Sequence, residues 1–232
     1  MNHDIKTSDF FDILERLPLE YSPAKAAMLR KLEEEEKLEV IRKRLSYYRS
    51  KESGVPRFLW NDSLTTYHPR TEEEKANYEK ILSFVANDEN HSTLILTGRC
   101  GTGKSHLGAG IINSLGGKMI DADTLLLQVD SGDNFKSSEN KLEILSRFST
   151  YKLLVIDEIG RSMDVIKEKG YLSYIIRNRY NNRLPTVLIS NLTKKELLKF
   201  FGEAIFDRFQ ETCIYLEFTG ESYRPNKRDI TL

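Results

Sequence analysis

Eight residues, Gly98-Arg99-Cys100-Gly101-Thr102-Gly103-Lys104-Ser105, follow the pattern GxxxxGK[ST] and restrict this 232-residue chain more than any other stretch. The apolar run Leu94-Ile95-Leu96-Thr97 precedes them and a helical stretch, His106 to Leu115, follows. In that context the glycines let the backbone curl so that its N–H groups converge on phosphate at the positive end of a helix. Lys104 is then expected to neutralise the β- and γ-phosphates of ATP, and the Ser105 hydroxyl to complete the coordination of Mg²⁺. The competing reading, a Gly-rich turn that merely contains Gly-Lys-Ser, does not explain the strand and helix on either side.

A second apolar run, Leu153-Leu154-Val155-Ile156, ends in Asp157-Glu158. Asp157 reads as the second Mg²⁺ ligand, and Glu158 as the base or orienting group for an attacking water. Two acids at a strand end can also simply cap a turn. With the phosphate loop present, hydrolysis is the stronger reading, because the second acid favours water over a substrate hydroxyl as nucleophile. Asn191 ends a third run, Thr186-Val187-Leu188-Ile189-Ser190. It reads either as a γ-phosphate contact or as a turn former. Arg208, on the amphipathic stretch Gly202 to Phe209, and Arg224, in Ser222-Tyr223-Arg224, carry the planar fork that suits phosphate. Taken singly, each arginine reads as a surface ion-pair residue.

The remaining organisation is α/β. Leu94–Thr97, Lys118–Ile120, Leu153–Ile156, Thr186–Ile189 and Ile214–Phe218 are five candidate strands, mostly continuous in apolarity and separated by helical stretches. Strands of that kind are buried on both faces of a parallel sheet. Residues 1–54 read as a helical arm: Ser8 caps an amphipathic stretch with Phe10, Ile13, Leu14 and Leu17, and Ser22-Pro23 starts a second helix. In the second, Leu38, Ile41, Leu45 and Tyr48 form one apolar stripe flanked by Arg42, Lys43, Arg44 and Arg49. The stripe packs either on the chain's own 55–232 domain or on a partner. Ser53-Gly54-Val55-Pro56 reads as the linker.

Composition excludes some classes. Lys+Arg and Asp+Glu are equal at 35 each, so nucleic-acid binding requires a local basic patch. No apolar run approaches the roughly 20 residues that span a bilayer, and the chain is expected to be cytoplasmic, with no membrane partner. Cys100 and Cys213 are the only cysteines, read as reduced thiols, and His3, His68, His91 and His106 lack ligand spacing.

The runs Gly101-Thr102-Gly103-Lys104-Ser105-His106-Leu107, Leu153 to Gly160, Ser190-Asn191-Leu192, Gly202-Glu203 with Asp207-Arg208, and Ser222-Tyr223-Arg224 occur in an order that resembles bacterial replicative helicase loaders of the DnaC and DnaI type. The resemblance extends over about residues 55 to 228. The GKSHL start and the SYR end resemble a wider clade of loaders, initiators and IstB-type transposition helpers. It implies a P-loop AAA+ three-layer sandwich with a five-stranded parallel sheet, a reduced or absent lid and a small helical N-terminal arm. It also implies nucleotide contacts from Gly98 through His106, Asn191 as the sensor on β-strand end, Arg208 as a finger reaching a neighbouring subunit's ATP, and Arg224 as the arginine acting on its own ATP. The implied partners are the hexameric replicative helicase, bound by the arm, single-stranded DNA, and further copies of the chain in a spiral.

Cys100 stands where relatives carry other small residues, and the arm lacks a cysteine-rich zinc module, which favours the DnaC-like pattern. Lys118, Phe135, Lys136, Arg177, Arg179 and Arg183 are the DNA candidates, each also readable as an ordinary surface residue. Three functions therefore stand side by side: a helicase loader, an IstB-type helper acting on duplex DNA with a transposase, and a nucleotide switch whose hydrolysis is incidental.

Overall fold

The computed structural model describes residues 23–87, 91–134 and 137–224, with side chains from residue 30 onward. Phe135, Lys136, Ser8 and the stretch Phe10–Leu17 lie outside the described residues. The chain divides after Lys43 into two units. A long helix, α1 (Pro23–Tyr48), opens the described structure, with proline at its first position, where no intrahelical N–H is needed. Of its first-unit part, Leu38, Val40 and Ile41 are about half exposed.

The second unit, from Arg44, is built on five parallel strands: β1 (Thr93–Gly98), β2 (Lys118–Asp121), β3 (Leu154–Ile159), β4 (Thr186–Ser190) and β5 (Cys213–Phe218). Their spatial order is β2-β3-β4-β1-β5. All five were legible as apolar runs. Successive residues point to opposite faces of a strand, so Leu94 and Leu96 enter one core and Ile95 the other. On the first face lie α2 (Glu72–Ala86), through Ile81 and Phe84, and α3 (Lys104–Leu115), through Leu107, Ile111 and Ile112. On the second lie α4 (Ala122–Ser131), α5 (Lys141–Thr150), α6 (Val165–Asn181), α7 (Lys194–Phe201) and α8 (Glu203–Thr212), which contribute Leu125, Phe148, Leu172, Phe201 and Phe209. The result is the expected three-layer α/β sandwich. Among the described residues no helix follows β5.

Side-chain caps start these helices where the sequence supplies them: Thr71, Asp121, Asn140, Asp164 and Thr193 each accept the N–H of the third helical residue. The phosphate-loop helix α3 is different, starting after Gly103 with no side-chain cap. Its first N–H groups are thereby left for a ligand.

Two readings from sequence change here. The Ser53–Pro56 segment is packed rather than free. Ser53 is fully buried and its carbonyl accepts Met119 N–H at 2.7 Å, while Val55 joins the first core. Tyr48, the last residue of the stripe, is likewise buried, its hydroxyl donating to the Leu59 and Asp62 carbonyls. Arg179 is no surface residue. It is 0% exposed and donates to Thr186 Oγ1 and to the Phe148, Tyr151 and Pro185 carbonyls, so burial pulls its pKa down to about 10. It ties α6 to the ends of α5 and β4, and the basic track proposed for DNA loses that member. Arg177 and Arg183 are exposed, and Lys118 Nζ donates to the Glu52 carbonyl at 2.9 Å.

Candidate functional site

The C-terminal ends of β1, β3 and β4 open onto one cavity of about 680 Å³. Parallel α/β sheets place ligands at that edge because loops and helix N-termini converge there. Cys100, Gly101, Gly103, Lys104, Ser105 and His106 line one side, Asp157, Glu158 and Asn191 another, and Arg224 a third. Gly98, Arg99 and Thr102 shape the loop without lining the cavity. The Gly98 and Arg99 carbonyls accept Lys104 Nζ at 2.8 and 2.6 Å, and Thr102 Oγ1 donates to the Arg99 carbonyl. The loop turns through positive φ at Gly101 (+85°) and Gly103 (+86°), and a Cβ at Gly103 would come within 2.7 Å of the Tyr67 ring.

Lys104 is 5% exposed, and its pKa is lowered, burial being the main cause, with Cys100 and Asp157 opposing it. An arriving triphosphate supplies the negative charge that such an ammonium lacks. Asp157 is buried too. Burial raises its pKa against the hydrogen bonds it accepts from the Ser105 hydroxyl and, at 2.7 Å, from the Glu158 N–H. Ser105 and Asp157 thus place a hydroxyl and a carboxylate together, the hard oxygen donors that suit Mg²⁺. Among the described residues no cluster of three or more His, Cys, Asp or Glu side chains forms a metal site. An ion held there would complete its shell with water and phosphate.

Glu158 sits at a register shift between β3 and β4 and adopts φ +58°, a left-handed conformation that a non-glycine residue rarely takes. Its carboxylate faces Arg161 at 3.3 Å. The loop that follows is pinned at its start. Ser190 Oγ donates to the Ile159 carbonyl, and the fully buried Glu168 accepts Gly160 N–H at 2.7 Å. His106 holds the first turn of α3 against the preceding segment, its Nε2 lying 2.9 Å from the Ser63 carbonyl and 3.0 Å from Thr66 Oγ1.

Arg208 was expected to serve a neighbouring subunit's ATP and not the site of its own chain. It lies on α8 with Nη1 donating to the Ala204 carbonyl at 2.6 Å and does not line the cavity. Sequence reasoning missed Arg161, Tyr67, His68, Pro69, Arg70 and Tyr223, all of which line it. Tyr223 alone carried a signal, as the neighbour of Arg224; the 67–70 segment has no motif and arrives through tertiary packing.

A family model described as IstB-like ATP binding protein matches residues 66–230. The replicative helicase loader DnaC of Escherichia coli K12 is 32% identical over 180 residues, covering 74% of this chain and 73% of that protein. A protein of insertion sequence IS232 from Bacillus thuringiensis subsp. berliner, described as ATP-binding, is 31% identical over 159 residues, 64% of this chain and 62% of its own. Among solved structures, the DnaC helicase loader superposes with a TM-score of 0.61 at 25% identity, over 71% of this chain and all of that one. DnaI shares the fold, with a TM-score of 0.57 at 23% identity over 73% and 94% of the two chains.

Proposed function

Since the chain belongs to the IstB-like ATP binding protein family, P-loop ATPases of AAA+ fold, we propose that it is an ATP-driven helicase loader, binding a replicative DNA helicase and placing it on single-stranded DNA. The observation that carries the ATPase part is the convergence of Lys104, Ser105, Asp157, Glu158, Asn191 and Arg224 on one cavity. The loader part rests on similarity to DnaC over 74% of the chain.

In this reading Lys104 leaves the Gly98 and Arg99 carbonyls and donates to the β- and γ-phosphates. Loop N–H groups and the uncapped start of α3 receive the rest of the charge. Ser105 and Asp157 would hold Mg²⁺, which supplies neutralisation of the phosphate oxygens. Glu158, carried forward by its left-handed backbone, orients a water in line with the γ-phosphorus and takes its proton as the bond to the bridging oxygen breaks. Asn191 at the tip of β4 and Arg224 fix the γ-phosphate. Tyr67 to Arg70 line the same cavity, and in this reading they are the wall open to the base and ribose. Arg208 completes a neighbouring subunit's site, which makes assembly a condition of fast turnover. The N-terminal arm binds the helicase ring, the half-exposed Leu38 and Ile41 being apolar surface suited to a partner helix.

A second reading is favoured by the IS232 relative: an IstB-type helper that binds duplex DNA and recruits a transposase. Native mass measurement of the chain with its host's replicative helicase, with and without ATP and magnesium, separates the two. An ATP-dependent complex supports the loader. Binding to duplex DNA and transposase with none to helicase supports the helper. No magnesium-dependent affinity for ATP at all would overturn both.

A further inference from the structure

Tyr223 sits where three parts of the cavity wall meet. Its backbone N–H donates to the Gly101 carbonyl at 2.8 Å, which fastens it to the phosphate loop. Its hydroxyl reaches the His68 carbonyl at 2.7 Å and Glu74 Oε2 at 2.9 Å. Its ring leans on Tyr67, with centroids 5.7 Å apart, and the Arg70 guanidinium lies 3.7 Å from the ring centre. That distance fits a cation–π contact.

Glu74, on the first turn of α2, is 2% exposed. The same Oε2 accepts the Arg70 N–H at 2.6 Å, and Oε1 fills the space a Cβ on Gly220 would need, only 2.3 Å away. A buried carboxylate must be given donors, and here they come from two distant segments of the chain, the Arg70 N–H and the Tyr223 hydroxyl. On the phosphate side, Gly101 leaves room for Ser222, whose Oγ would lie 2.1 Å from a Cβ there. Ser222 Oγ in turn accepts the Arg224 N–H at 3.1 Å.

Arg224 therefore hangs from a segment lying beyond the last strand, positioned by side-chain links instead of a sheet ladder. It lines the same cavity as Lys104 and Ser105. We propose that Tyr223 and Glu74 form a latch that couples the base end of the cavity, Tyr67 to Arg70, to the placement of Arg224 at the phosphate end. Both are positioning residues acting through Arg224. The latch rests on the reading of this cavity as an ATP site with Arg224 on the γ-phosphate. Its physical content is that the strap carrying Arg224 is rigid only while Tyr223 bridges His68, Glu74 and Gly101. A hydroxyl lost there leaves a buried acceptor short of a donor and loosens the strap.

Tyr223→Phe keeps the ring between Tyr67 and Arg70 and removes only the donor. In the full chain, kcat for ATP is expected to fall about tenfold, the usual consequence of leaving a buried acceptor unmade. Affinity for ADP, which offers Arg224 no γ-phosphate, should stay within about twofold. On an Arg224→Ala background the same substitution should cost nothing further, since the group it positions is gone. A merely structural tyrosine would instead weaken ADP and ATP binding in parallel and add its loss to that of Arg224→Ala. Wild-type kcat in Tyr223→Phe, parallel loss of ADP affinity, or full additivity overturns the latch. Wild-type kcat in Arg224→Ala overturns the γ-phosphate reading and the latch with it. Glu74→Gln runs the same test from the other side, with the same kcat-only loss expected, should the phenol be needed for folding.

Discussion

Arg208, on α8, lies with its guanidinium 5.6 Å from the centre of the Tyr180 ring on α6, outside the cavity of its own chain. Its Nε is buried without a hydrogen-bond partner among the described residues, and the Tyr180 hydroxyl is tied to Glu211 by a short hydrogen bond. Such an arginine has no work in its own subunit's site. Arg208→Ala should leave ATP affinity unchanged and lower turnover by at least about tenfold, only at concentrations where the chain assembles. Mixing it with Glu158→Gln should restore part of the rate, because each variant supplies the group the other lacks. Steady-state turnover against protein concentration checks this, and a lone Arg208→Ala variant at wild-type rate would remove the finger assignment.

Glu158 and Arg161 form a pair in which both side chains are about half exposed, 55% and 52%. Exposed pairs contribute no more than about 1 kcal/mol, so Arg161→Ala should move the thermal midpoint little. Glu158→Gln should keep ATP bound while turnover falls about 10²- to 10⁴-fold, the range of a positioned acid–base group. Single-turnover kinetics with a parallel filter-binding assay distinguish this from lost affinity. Unchanged turnover would favour the nucleotide switch, in which hydrolysis is incidental.

Asp157 is held against its own desolvation, and burial raises its pKa. A carboxyl whose folded pKa exceeds its unfolded value favours the native state below the unfolded pKa, and that advantage is lost as pH rises through the folded one. At neutral pH, then, the ionised Asp157 costs stability until a cation joins it. Asp157→Asn should raise the melting temperature of the nucleotide-free chain at pH 7 and abolish turnover. The difference in melting temperature should shrink as pH falls below the carboxylate range. A variant that melts lower than wild type at pH 7 would show that the hydrogen bonds from Ser105 and Glu158 outweigh the burial.

The two thiols differ in access. Cys100 is exposed and lines the cavity, whereas burial pushes the Cys213 thiol up to about 12. Alkylation of the native chain at pH 8 should mark Cys100 alone, because the thiolate is the reacting species. ATP with magnesium should slow that reaction by covering the loop. Peptide mass mapping after a timed iodoacetamide pulse reads both, and equal labelling with and without nucleotide would place the ligand away from Cys100.

Local order carried much of what could be known in advance. The five strands were legible because a strand buried on both faces needs an unbroken apolar run, and Leu153 to Ile156 or Thr186 to Ile189 can serve little else. The phosphate loop was legible because its glycines, lysine and serine act through backbone within eight residues. Arg179 shows the opposite case: a basic residue among basic residues, buried because helix α6 turns it toward the carbonyls of Phe148, Tyr151 and Pro185. Nothing near it in the chain announces that.

Residue type and spacing by themselves determined that a glycine-rich loop would join β1 to α3, with two acids on β3 beside it. Only tertiary structure decided that the segment Tyr67 to Arg70 lines that cavity, and that Tyr223 is bonded to His68 and Glu74, some 150 residues earlier in the chain. The reason is physical. A loop's curl is set by φ and ψ of neighbouring residues, whereas which distant side chains meet is set by the packing of helices on two faces of a sheet, and that depends on every core residue at once.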